Sequence, residues 1–94
     1  MTTLREAVDA LPTTVAEVTR FFVEHNIRGV QSEAMLCPLA MYLSAETGQT
    51  VVVGLSLAWP KFYKDDPVEL PAHLLGFIEQ FDGDILPGRE ALLV

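Results

Sequence analysis

At 94 residues and a formal charge of −7, with thirteen Asp and Glu against six Lys and Arg, the chain suffices for one small domain and not two. Half of it is apolar and a fifth charged, the balance of a folded domain rather than a disordered tail. The acidic excess argues against nucleic acid as a partner, since a run of phosphates would meet few cations, and one cysteine excludes both an intramolecular disulfide and a cysteine-rich zinc site.

A single domain spanning 1–94 is expected, with a radius of gyration of roughly 12 Å. Leu4, Ala7, Val8 and Leu11 fall at the spacing of one helical face. Thr3 and Glu6 form a capping box in front of it, and Pro12 stops it by disfavouring helical geometry at the residue before. Thr14 and Glu17 repeat the device for a second helix whose apolar face is Val15, Val18, Phe21 and Phe22, with Asn26 or Gly29 supplying a left-handed end. A connector follows, with a short extended piece at 27–30 and a turn at 32–35. The third helix runs from Pro38, suited to a first turn where an N–H is not needed, to Glu46 before Gly48. Its apolar face would be Leu36, Leu39, Ala40 and Leu43.

The period then changes from 3.6 to 2. Val51, Val53, Leu55, Leu57 and Trp59 alternate with Val52, Gly54, Ser56 and Ala58, which predicts a strand over 50–58 with one bulky and one small face. A lone strand leaves backbone groups unpaired, which is costly inside a protein. Its candidate mates are Val68–Leu70 returning as a hairpin, which we favour, Ile27–Val30, the tail Ala91–Val94, or the same strand of a second copy. A last helix opens at Pro71 and runs to about Phe81, burying Leu74, Leu75, Phe77, Ile78 and Phe81; Asp82-Gly83-Asp84 is a turn. The expected fold class is α+β: three N-terminal helices, a small antiparallel sheet built on 50–58, and a C-terminal helix.

No signal-peptide core precedes Glu6, and the longest greasy stretch, Val51–Trp59, is far shorter than the ~20 apolar residues a bilayer requires. With a lone thiol, this points to a cytoplasmic protein without a membrane partner. From Lys64 onward seven acids meet two bases, so that third holds −5 of the −7.

Cys37 is the candidate thiol. At the start of a helix, beside Pro38, spare N–H groups and the dipole would favour a thiolate able to act as a nucleophile, redox sensor or ligand. A nucleophile needs a base within reach, and neither His25 nor His73 has a spacing that pairs it with Cys37. The plainer reading makes Cys37 a small buried apolar residue. His25, near the end of the second helix, reads as a capping histidine, and His73 as a neutral ring near a helix start. Two histidines and one cysteine without supporting spacing give no metal site, and Asp82 and Asp84 lack the other ligands of a calcium loop. No phosphate loop or hydrolase motif occurs, so no catalytic residue and no cofactor are assigned. The loop Trp59-Pro60-Lys61-Phe62-Tyr63-Lys64 supplies candidate protein-contact residues, Trp59, Phe62 and Tyr63, because Trp and Tyr bury much area while keeping a polar handle. The competing reading folds Trp59 and Phe62 over the core with Tyr63 at its margin.

The runs Ile27-Arg28-Gly29, Cys37-Pro38-Leu39-Ala40-Met41-Tyr42-Leu43, Gly48 with Val51–Val53, and Leu70-Pro71 with Phe77–Asp82 together resemble small uncharacterised proteins of actinobacteria and their phages. The resemblance covers residues 20–87 and is sharpest in the Cys-Pro-Leu-Ala-x-Tyr-Leu segment. It implies a phage or prophage accessory role and carries over no functional residue. Three functions stay open: a non-catalytic interaction or regulatory module binding a protein or a second copy of itself, a thiol-dependent enzyme or redox sensor centred on Cys37, and an acidic inhibitor that imitates nucleic acid.

Overall fold

Two threonines begin the helical part of the structure. In the computed structural model, which describes residues 2–62 and 66–94, the Thr3 hydroxyl accepts from Glu6 N–H at 3.1 Å while the Glu6 carboxylate accepts from Thr3 N–H at 3.0 Å. This is the full capping box, and helix α1 (Leu4–Asp9) follows it. Thr14 accepts from Glu17 N–H at 3.1 Å, but its hydroxyl, not its backbone, donates to the Glu17 carboxylate, a half box at the head of α2 (Val15–Glu24). Asn26, at φ 55°, provides the left-handed turn after α2. Helix α3 (Pro38–Thr47) has Cys37 as its N-cap and ends on Gly48 at φ 71°.

The segment read as one strand is two. β1 (Val51–Val53) and β2 (Leu57–Pro60) form an antiparallel hairpin pairing Val51 with Pro60, Val52 with Trp59 and Val53 with Ala58. The turn is closed by Gly54 N–H donating to the Leu57 carbonyl at 2.8 Å. Reversing at Leu55-Ser56 changes which residues share a face. Val51, Val53, Ala58 and Pro60 are buried together, while Val52, Gly54, Leu57 and Trp59 lie on the half-buried side. The bulky-versus-small division expected of a continuous strand therefore does not exist. Gly54 makes room for Trp59 on that second face: a Cβ there would come within 2.9 Å of the indole Cζ3.

β3 (Val68–Glu69) pairs with β2 through Ala58–Val68 and Leu57–Glu69, the hairpin favoured from the sequence, giving a sheet in the order β1-β2-β3. β3 is short because the next donor facing it along β2 would belong to Pro60, which has no N–H. The free edge of β1 is occupied: Val51 N–H donates to the Ser44 hydroxyl at 2.9 Å and Val53 N–H to the Ala34 carbonyl at 2.8 Å. The unpaired edge that called for a second copy is thus satisfied within one chain. The two other proposed mates, 27–30 and the tail, pair with each other through a parallel bridge between Gly29 and Leu93.

Helix α4 (Ala72–Asp82), N-capped by Pro71, lies across α2. Phe22 and Phe77 meet edge to face, with ring centroids 5.3 Å apart at 82°, and Tyr42 joins Phe22 at 5.6 Å. Such pairs add ~0.5–1.5 kcal/mol beyond area burial. Leu39, Leu43, Leu74, Val51 and Leu92 close the core with no exposed surface, each fully buried side chain contributing roughly 1.5–3 kcal/mol. Leu36 departs from expectation: it precedes α3 and is exposed. The chain is α+β, with four α-helices and a three-stranded antiparallel sheet among the described residues. Its Cα radius of gyration is 11.9 Å. No helix among those residues is long and apolar enough to cross a membrane.

Candidate functional site

Gly29 organises the region with the most unusual surface. A Cβ there would lie 2.5 Å from the Cys37 carbonyl carbon and closer still to Leu36 O and Pro38 N, so only glycine lets the 27–30 segment rest on the backbone entering α3. Its role is close approach, and the left-handed turn falls to Asn26 instead. Val30 N–H donates to the Leu36 carbonyl at 2.7 Å, and Cys37 N–H to the Glu33 carbonyl at 2.9 Å, which folds 30–36 into a closed loop. Gly29 N–H donates to the Leu92 carbonyl at 2.7 Å and Val94 N–H returns to the Gly29 carbonyl at 3.1 Å.

A polar latch fixes the loop to α4 and the tail. Gln31 Nε2 donates to the Asp82 backbone carbonyl at 2.6 Å, and Ser32 N–H to the Asp82 carboxylate at 2.9 Å. Arg89 donates to the Gln31 side-chain carbonyl, pairs with Asp84, and holds its guanidinium 5.8 Å from the Phe81 ring centroid. Ser32 sits at φ 61°, a conformation that costs a non-glycine residue free energy and persists because these bonds over-determine it.

The loop so held leaves apolar side chains in water. Val30, Met35, Leu36 and Val94 are all exposed, on segments joined by the backbone bonds just described. On its other side the loop borders a groove of about 280 Å³ lined by Ser32, Glu33, Ala34 and Cys37, the hairpin tip Val53–Leu55, and Ile78 and Asp82 of α4. Leu55, at the tip, is 98% exposed.

Cys37 faces this groove but is buried, and its Sγ accepts from Ala40 N–H at 3.4 Å. Burial pushes the thiol above its ordinary range; the Ala40 N–H pulls the other way, and the Asp82 carboxylate adds to the rise. The thiolate expected at a helix start is therefore disfavoured, because desolvation outweighs the cap. No histidine lines the groove. His25 is exposed at the end of α2, its Nδ1 2.8 Å from the Phe21 carbonyl oxygen and its ring stacked on Phe21 at 4.1 Å, the capping role read from the sequence. His73, near the start of α4, has a buried Nε2 without a partner among the described residues. Among the described residues no group of three or more His, Cys, Asp or Glu side chains could hold a metal ion.

Of the aromatic contact candidates, Trp59 is half-buried over Gly54. Phe62 does not fold over the core: it is 73% exposed, with Lys61 Nζ 5.2 Å from its ring centroid. Tyr63 lies outside the described residues. Sequence reasoning did not single out Gln31, Ser32 or Arg89, whose partners lie 50 to 58 residues away and leave no local pattern, nor Glu33, which the fold brings to the groove. Compared with known proteins, the chain matches no protein-family model, no curated protein and no solved structure.

Proposed function

We propose that this protein works by contact: a small acidic interaction or regulatory module, not a catalyst, whose binding surface is centred on the 30–36 loop. One observation carries the reading. Val30, Met35, Leu36 and Val94 stay exposed on a loop and tail that Gly29, Gln31 and Arg89 hold rigid, and clustered exposed apolar side chains on a fixed backbone mark contact sites. The thiol-centred alternative needs an accessible, ionisable Cys37, and burial with a raised pKa works against both requirements. A phage or prophage accessory role, and with it imitation of nucleic acid, rests on sequence resemblance and charge alone.

The test is a photo-crosslinking amino acid placed at Leu36 in cells that natively express the protein, with Asp9 on α1 as the comparison position. Discrete adducts from position 36 and none from position 9 are expected. Adducts from neither position, in a protein that also stays monomeric at every concentration, would refute the reading.

A further inference from the structure

Of five concavities formed by the described residues, the groove beside the 30–36 loop alone is lined by acids with no base. Glu33 and Asp82 share its lining with the apolar side chains of Ala34, Val53, Leu55 and Ile78. The pocket between α2 and α3 mixes Arg28 with Glu46, and the one beside α1 mixes Arg5 with Asp66. Asp82 is held in place by its bond from Ser32 N–H, so the acid is positioned before anything arrives. A complementary occupant is an apolar side chain accompanied by a cation.

The chain carries that combination on its own surface. Phe62 is the most exposed aromatic residue described, and the Lys61 ammonium lies over its ring, so ring and cation travel as one unit. Phe62 lies just beyond the Pro60 end of β2 and the groove lies at the opposite, Leu55 end of the same hairpin, about 13 Å away along four strand residues. That separation directs the unit to a neighbouring molecule. Two hairpins set antiparallel about a two-fold axis would each offer Phe62 to the other's groove, so the arrangement closes at two copies.

We propose that this groove is a self-association site, taking Phe62 and Lys61 of a second copy of the chain, with Lys61 paired to Glu33 and Asp82 and the ring on Ile78 and Leu55. The proposal goes beyond the contact reading above, since none of Val30, Met35, Leu36 or Val94 lines this groove.

Analytical ultracentrifugation from about 10 μM to about 1 mM, in ~0.15 M salt so that repulsion between the acidic copies is screened, tests it. The mass should rise from 10.4 kDa toward twice that value. Phe62→Ser, Glu33→Lys and Lys61→Glu, all exposed positions where the fold should survive, should each weaken association about tenfold or more. The double exchange E33K with K61E should restore association to within about threefold of the parent, because the ion pair is re-formed with its signs reversed. A chain that stays monomeric at about 1 mM, a Phe62→Ser variant that associates like the parent, or a double exchange no better than its singles would each overturn the proposal. If the chain is monomeric yet position 36 still crosslinks, self-association falls and the contact reading stands; if position 36 is also silent, both fall.

Discussion

Replacing Gly29 by alanine adds one methyl group at the point where the 27–30 segment, the backbone entering α3 and the C-terminal tail meet. The new Cβ would sit 2.5 Å from the Cys37 carbonyl carbon and nearer still to Leu36 O and Pro38 N, all backbone atoms with no rotamer by which to yield. Overpacking costs ~1–3 kcal/mol where side chains can shift, so with backbone on every side a loss of about 3 kcal/mol or more is expected. Against a total stability on the order of 5–15 kcal/mol, that is a large share. At roughly 4–8 °C per kcal/mol for a domain of this size, the melting temperature should fall by about 12–24 °C. Gly48→Ala is the comparison. Among the described residues nothing lies within 4 Å of its Cβ position, and only the left-handed φ of 71° penalises it, at about 1–2 kcal/mol. Thermal unfolding followed by circular dichroism reads both. A Gly29→Ala variant melting within about 4 °C of the parent, or no lower than Gly48→Ala, would show that the contact with 36–38 does not constrain this position.

Cys37, whose thiol is pushed up by burial, favours the fold most while it is protonated: its contribution is complete below the unfolded thiol value near ~8.5 and is lost as pH climbs through the higher folded value. Urea midpoints should therefore show the parent losing ground to Cys37→Ser above about pH 8.5, and a flat difference would contradict it. Glu6, lowered chiefly by its bond from Thr3 N–H, acts with the opposite sign. The advantage of the parent over Glu6→Gln should hold at neutral pH and vanish as pH drops below the carboxylate range, read from the acid unfolding curves. Arg89→Ala removes the partner of Gln31, Asp84 and the Phe81 ring together. It should cost about 1–3 kcal/mol, and combining it with Gln31→Ala should cost less than the sum of the two, as chemical denaturation of the four-member cycle will report.

The helices were legible because their signals are local. Thr3 with Glu6 and Thr14 with Glu17 announce two helix starts, and Gly48 one helix end, through hydrogen bonds and dihedral preferences reaching three or four residues. The hairpin was illegible for an equally physical reason. The usual tight hairpin carries Asn-Gly or Asp-Gly because its turn needs positive φ, but this chain reverses at Leu55-Ser56, and neither is among the left-handed residues. With no turn signal, 51–59 reads as one alternating strand. A two-residue turn then shifts the pairing so that Val53 faces Ala58, moving Leu57, Ala58 and Trp59 off the faces predicted for them.

Glycine shows a similar ambiguity. Gly29 follows a helix, where a left-handed terminator is common, yet Asn26 takes that conformation and Gly29 is needed because main chain lies against it. Sequence alone displays the missing side chain and not the atoms that exclude it. The linear charge count misleads in the same way. The acidic last third contains Arg89, tied to Asp84, while one of the two acids over the groove is Glu33, from the nearly neutral part of the chain.

The correction to the sheet also alters what kind of contact the protein can make. An open strand edge would recruit a partner through main-chain hydrogen bonds, which read shape and register but little sequence. Here Ser44 and Ala34 occupy the outward N–H groups of β1, and Pro60 cuts β3 to two residues. On the contact reading proposed above, recognition falls to side chains: Leu36, Leu55 and Phe62 in water, and Glu33 and Asp82 lining the groove. Side-chain recognition concentrates its free energy in a few residues. Association should therefore respond sharply to single exposed substitutions that leave the melting temperature unchanged, whereas an edge-paired assembly would tolerate them.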